Sequence, residues 1–225
     1  MKAMSALEVV REKYTNALLN GHTREAYDII KEALSNQYSL IDVYTVITDA
    51  MYSTGDLWET NDISIVQEHV ATAITQFVLT QISAESVKSF QMDSKKAAVF
   101  SVESNTHYLG IQMIKNLFNI YQMQTFEFGP NVPNSDLIER IQALNIDVVA
   151  YSVTMTEHID KAVELSETLK MLDPETRPIV IVGGYAFHCD ETLLKQVFYD
   201  HYFKTIKDLS GWLEEGKEFI KHTTA

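Results

Sequence analysis

The sequence predicts an α/β protein: an N-terminal four-helix-bundle cap followed by a doubly wound, flavodoxin- or Rossmann-like sheet of five parallel strands. Three observations predict it. Residues 3–87 carry apolar side chains at helical spacing, and residues beyond 96 alternate short apolar runs with amphipathic helices. Between them, from about 84 to 96, the chain is polar and weakly periodic. The domains expected are a helical cap over 1–87, a linker over 88–96 and an α/β domain over 97–225.

The first stripe, Leu7, Val10, Tyr14, Ala17 and Leu18, ends at Asn20-Gly21, and Thr23 is a candidate N-cap for the second. Ser39 or Asp42 opens a third helix that stops near Gly55. Asn61-Asp62 then caps a long fourth helix running from Ile63 to Ile82. Short joints between amphipathic helices make a bundle. In the second half, Val99–Val102, Met123–Phe128, Asp147–Val153, Ile179–Val182 and a short His201–Phe203 read as strands. Helices are expected near 108–120, 134–143, 157–171, 190–197 and 206–221. This alternation argues for a parallel sheet with helices on both faces.

Composition narrows the function classes. With 225 residues, 46% apolar and 22% charged, the chain reads as a globular protein. A net charge of −13 with scattered basic residues argues against direct nucleic-acid binding. No run approaches a membrane span, no signal-peptide core opens the chain, and a single cysteine, Cys189, suits a reducing compartment. The expectation is a cytoplasmic protein.

Unusual residues gather at the carboxyl ends of the predicted strands, the edge at which open α/β sheets bind ligands. Asn105-Thr106-His107-Tyr108-Leu109-Gly110 follows the first strand, Ser152-Val153-Thr154 closes the third, and Gly183-Gly184 closes the fourth. Together they outline a pocket with one imidazole, hydroxyls and a glycine wall. The glycine pair alone reads equally as a tight turn or as a place where a bulky ligand approaches the backbone. The two hydroxyls alone read as helix caps.

Asn105-x-His107-x-x-Gly110 resembles the Asp/Glu-x-His-x-x-Gly motif of cobalamin (B12)-binding domains, and the other two segments fall where that family carries its Ser-x-Leu/Thr and Gly-Gly motifs. The resemblance implies a cobalamin cofactor with His107 as the lower axial ligand of cobalt and the nucleotide tail lodged between the serine and the glycines. Adenosylcobalamin is the form expected, with methylcobalamin and hydroxocobalamin as alternatives. The sequence departs from the motif at Asn105, where the family has an acid. An amide can accept the imidazole Nδ1–H but adds no negative charge, so a weaker His–Co bond is expected unless Glu103 substitutes.

In the helical half, Trp58 followed ten residues later by Glu68-His69 resembles the Trp-x9-Glu-His signature of CarH-type B12 photoreceptors. That resemblance implies that Trp58, Glu68 and His69 cover the upper face of the cofactor. Ile65, His69 and Ala73 share a helix face, so His69 is expected to turn toward the interior. The MerR-type DNA-binding domain of that family has no counterpart in this sequence. Glu59 stands where some light-sensing members carry a second cobalt-binding histidine.

The expected function is therefore a stand-alone cobalamin sensor, a light-responsive photoreceptor that is not an enzyme. It would signal through cap rearrangement to another copy of itself, as a homo-oligomer, or to a separate transcriptional regulator, with no direct contact to nucleic acid or membrane. The alternative is a corrinoid carrier protein of a methyltransferase system.

Overall fold

The computed structural model describes residues 5–83 and 94–215. The chain divides into two compact units, Met1–Ser86 and Val87–Ala225. All but the end of the 88–96 linker segment, and the last part of the helix expected over 206–221, lie outside the described residues.

The first unit contains helices α1 (Ala6–Leu19), α2 (Thr23–Ser35), α3 (Leu40–Glu59) and α4 (Ile65–Ser83). Ser5 and Ser39 open α1 and α3 with reciprocal capping boxes to Glu8 and Asp42. Thr23 is the first helical residue of α2 rather than its cap; His22 holds the cap position without a side-chain bond. Helix α3 runs through Gly55 to Glu59, because nothing in that turn demands a non-helical backbone and the exposed Thr60 hydroxyl returns to the Asp56 carbonyl. Helix α4 starts at Ile65 rather than after Asn61-Asp62, with Ser64 and Gln67 exchanging capping bonds of 3.0 and 3.3 Å. Tyr14, Leu18, Ile30, Tyr44, Ile47 and Leu79 are fully buried between the helices. The Tyr14 hydroxyl donates to Thr75 Oγ1 at 3.1 Å, and burial pushes its pKa up to about 12.

The second unit is a five-stranded, wholly parallel sheet ordered β2-β1-β3-β4-β5. Its strands are β1 (Lys96–Ser101), β2 (Gln124–Gly129), β3 (Val148–Ser152), β4 (Ile179–Gly183) and β5 (His201–Tyr202). Between them lie α5 (Leu109–Ile120), α6 (Asn134–Leu144), α7 (Ile159–Lys170) and α8 (Tyr185–Cys189), and α9 (Ile206–Glu214) follows β5. One sheet face, with Phe100, Tyr151 and Val182, packs on Leu137 and Ile141 of α6, Leu165 of α7 and Phe187 of α8. Helices α5 and α9 meet where Tyr121 Oη donates to Glu214 at 3.0 Å. The strand order reverses beside β1, so the carboxyl ends of β1 and β3 form the switch point at which such sheets bind ligands.

The helix expected over 190–197 is shorter and earlier: α8 starts directly after Gly184, and a 3-10 turn covers Glu191–Gln196. Among the described residues no helix is long and apolar enough to cross a membrane.

Candidate functional site

Register places Ser101, Ser152 and Gly183 side by side as the last residues of β1, β3 and β4. The loop carrying His107 lies at this carboxyl edge of the sheet, held by fully buried groups. The Ser101 hydroxyl donates to the carbonyl of His107, and Asn105 is completely inaccessible to solvent. His107 and Thr106 are exposed.

Asn105 organises this loop. Its Nδ2 donates to the Ser152 carbonyl at 3.1 Å and lies 3.4 Å from Thr154 Oγ1. The amide is thereby oriented, because a carbonyl can only accept, and Oδ1 must face the other way. There Oδ1 accepts the backbone N–H of His107 at 3.2 Å and stands 2.9 Å from its Nδ1. Nδ1 therefore carries the ring proton, and Nε2 keeps the lone pair with which an imidazole binds a metal. The neighbouring loop supports the same backbone: the Asn131 N–H donates to the Asn105 carbonyl at 2.9 Å, and the Ser104 N–H to Asn131 Oδ1 at 2.7 Å. Ser104 and Asn131 both take left-handed φ values, 70° and 53°.

Glu103 does not take the place of the missing acid. Its carboxylate pairs with Lys161 at 3.0 Å and accepts the Asn134 N–H at 3.3 Å, and the Lys161 hydrogen bond leads in lowering its pKa. It ties the β1 loop to α6 and α7.

The structure also explains why an amide stands at 105. Aspartate there could still accept from His107, but its second oxygen would face the Ser152 carbonyl, another acceptor, which would keep only the Val102 N–H at 3.3 Å. Asn105→Asp is expected to cost about 1–3 kcal/mol of stability, because a lost hydrogen bond is replaced by a buried carboxylate oxygen facing another acceptor. Chemical denaturation of the two proteins, each free of cofactor, measures this, and an unchanged midpoint would refute the orienting role.

The glycines separate into two kinds. Gly184 has φ 114° and ψ 165°, and a Cβ on it would lie 2.2 Å from the Val153 carbonyl oxygen and 2.8 Å from Ser152 Oγ. Its lack of a side chain lets the turn into α8 close onto the end of β3, a need of the fold itself. Gly183 and Gly110 are different: a Cβ on Gly183 would meet only the Phe203 carbonyl at 3.5 Å, and one on Gly110 nothing within 4 Å. The protein's own packing does not require either, which leaves room for a ligand at both.

In the first unit Trp58, in the last turn of α3, is 38% exposed. Glu68 Oε2 lies 2.7 Å from His69 Nδ1, and the Thr72 hydroxyl donates to Glu68 Oε1 at 2.8 Å. His69 does not turn inward. Its side chain is 70% exposed, and Ile65 on the same face is 44% exposed. Helix α4 is apolar on two sides, and the bundle buries the one carrying Ala71, Ile74, Val78 and Ile82. The expectation followed the other.

Comparison with known proteins accounts for both units. Residues 95–205 match a B12 binding domain, and residues 10–83 match a second B12 binding domain model. The chain is a pair of B12-binding domains. It is 21% identical over 186 residues to trimethylamine corrinoid protein 1 of Methanosarcina acetivorans, covering 80% of this chain and 85% of that one. It is 26% identical over 87 residues to the trimethylamine corrinoid protein of Methanosarcina barkeri, covering 39% of this chain and 40% of that relative's length. In fold it is similar to the monomethylamine corrinoid protein of Methanosarcina barkeri, with a TM-score of 0.78 at 18% identity over 94% of this chain and all of that one.

These likenesses correct the photoreceptor reading. The relative matched along 80% of the chain is a trimethylamine corrinoid protein rather than a light sensor.

Proposed function

We propose that this B12-binding chain is the corrinoid carrier of a methyltransferase system, acting with separate methyltransferase proteins and not itself an enzyme. What carries the reading is the pairing of two facts. Its likeness to a trimethylamine corrinoid protein extends over 80% of the chain, and His107 stands at the switch-point edge with Nδ1 tied to Asn105.

The residues at the edge fit the cofactor. His107 would hold the cobalt through Nε2, the ring nitrogen that its Nδ1 contact with Asn105 leaves unprotonated. Asn105 would position that imidazole without adding negative charge to it. Gly110 and Gly183 give the macrocycle and its nucleotide tail room at the backbone, and Ser152, Thr154 and Thr106 offer hydroxyls around them. The turn set by Gly184 holds this rim in place. When bound, the corrinoid supplies a cobalt that accepts a methyl group from one protein and yields it to another.

The test is methyl loading. The chain is loaded with hydroxocobalamin, reduced, and mixed with methylamine substrates and purified methylamine methyltransferases. The expected result is a methylated-corrinoid absorption spectrum that decays when an acceptor methyltransferase and its thiol substrate are added. His107→Ala is expected to keep the cofactor but to show a spectrum without a histidine below cobalt. Retention of the corrinoid with no methylation by any donor enzyme would refute the carrier reading.

A further inference from the structure

The two edges of the sheet are finished differently. Strand β5 closes one side with two residues, too short to receive a further strand. Strand β2 closes the other with six, and among the described residues its one neighbour is β1. All six are half-buried. The devices that blunt natural edges are few here. The strand has no proline and no lysine, and its one charge, Glu127, is neutralised by Lys115 of α5 at 2.8 Å. Its irregularity, where Phe100 pairs with Gly129 rather than Phe128, falls beyond Glu127 at the carboxyl end. A cavity of about 370 Å³ lies beside the strand, lined by Phe128 with Asp136, Arg140 and Ala143 of α6, so α6 does not close over this edge.

Alternation along β2 fixes what the edge offers. The Gln124 N–H donates to the Lys95 carbonyl at 2.8 Å, so Gln124 and Phe126 turn their backbone groups toward β1. Thr125 and Glu127 therefore turn theirs outward. A second copy meeting this edge about a two-fold axis runs antiparallel to it, and outward residues must face outward residues. Thr125 then pairs with Glu127 of the copy, Glu127 with the copy's Thr125, and Phe126 faces its own image across the axis.

This register is self-complementary. No like charges stand opposite one another, and an aromatic pair forms on the face where Phe126 already packs against the core. That self-complementarity selects a second copy over an unrelated strand. We infer that β2 is the seam of a homodimer in which two five-stranded sheets join edge to edge. The inference takes nothing from the carrier reading.

Sedimentation velocity on the corrinoid-loaded chain tests it, over a concentration series reaching about 1 mM. Salt at about 0.15 M screens the net charge of −13 beyond about 8 Å. A monomer–dimer equilibrium is expected. Thr125→Glu sets a carboxylate against Glu127 of the copy on both sides of the axis, and is expected to weaken dimerisation about tenfold or more. Thr125→Lys sets an ammonium there instead, and is expected to dimerise at least as tightly as the parent. Thr168→Glu, the same charge change at an exposed position of α7, is expected to behave like the parent.

A parent that stays monomeric throughout the series would overturn the inference. So would equal losses in Thr125→Glu and Thr125→Lys, or in Thr125→Glu and Thr168→Glu. A dimer that all three variants leave unchanged would overturn it as well, since the contact then lies on another face. Methyl loading is read separately: a chain that dimerises without carrying methyl groups keeps the seam, and a carrier that stays monomeric loses the seam alone.

Discussion

Gly184→Ala is expected to destabilise the sheet unit by several kcal/mol and to abolish retention of the corrinoid. Two costs combine. The backbone at φ 114°, ψ 165° lies in a region essentially reserved for glycine, worth about 1–3 kcal/mol of strain for any other residue. In addition, the new methyl would stand 2.2 Å from the Val153 carbonyl and 2.7 Å from the Val153 nitrogen. These are backbone atoms of the loop after β3, so relief means moving that loop away from α8. The Ala186 N–H, which donates to the same carbonyl at 3.2 Å, would be displaced with it, as would Ser152 and Thr154, the anchors of Asn105. Gly183→Ala is the matched control, since its methyl makes one ordinary contact at 3.5 Å. It is expected to fold with nearly the parent's stability while binding corrinoid less tightly. Thermal melting and gel filtration with hydroxocobalamin read both effects. Equal behaviour of the two variants would refute the division of labour drawn between the glycines.

Asp200→Ala is expected to cost about 3–5 kcal/mol, the usual penalty for stranding one partner of a buried ion pair. Arg177 and Asp200 are 5% and 1% exposed and meet through two parallel bonds of 2.7 and 2.8 Å. The same carboxylate accepts the Val180 N–H at 2.8 Å, and the Arg177 guanidinium lies 4.8 Å from the Phe198 ring centre. Strand β5 has only two residues, so this cluster fixes a sheet edge that so short a ladder would hold poorly. Removing both partners together, as Arg177→Met with Asp200→Leu, is expected to recover part of the loss, because no charge is then left buried while the Val180 N–H still lacks its acceptor. Urea denaturation measures the three proteins, and a single variant within about 1 kcal/mol of the parent would show that water reaches the pair.

The fold was largely legible in the sequence because its signals are local. Apolar spacing marked α1 through α4, and the β-branched runs around Val149 and Val180 could only be buried parallel strands. The segments of the site were legible as well, since each lies at a strand end. What they do was harder to read. Asn105 looked like a weakened acid because spacing cannot show that its amide nitrogen donates to the Ser152 carbonyl, 47 positions away. Ser101 was passed over as an ordinary strand residue, although a buried serine closing a strand of alanine, valine and phenylalanine is itself a signal. Arg177 and Asp200 gave no signal, being 23 residues apart and outside any motif. The phase of α4 was misread because the helix is apolar on two sides, and periodicity alone does not say which one the bundle buries.

The most direct test of the account asks which nitrogen binds cobalt. The chain is produced with 15N-labelled histidine, loaded with unlabelled cobalamin and reduced to the paramagnetic cobalt(II) state for electron paramagnetic resonance. If His107 is the lower ligand, the three-line splitting from a natural-abundance nitrogen becomes two lines, and His107→Ala removes that two-line pattern. A three-line splitting that survives in the labelled protein would show that the cofactor's own base stays on cobalt and would contradict the account.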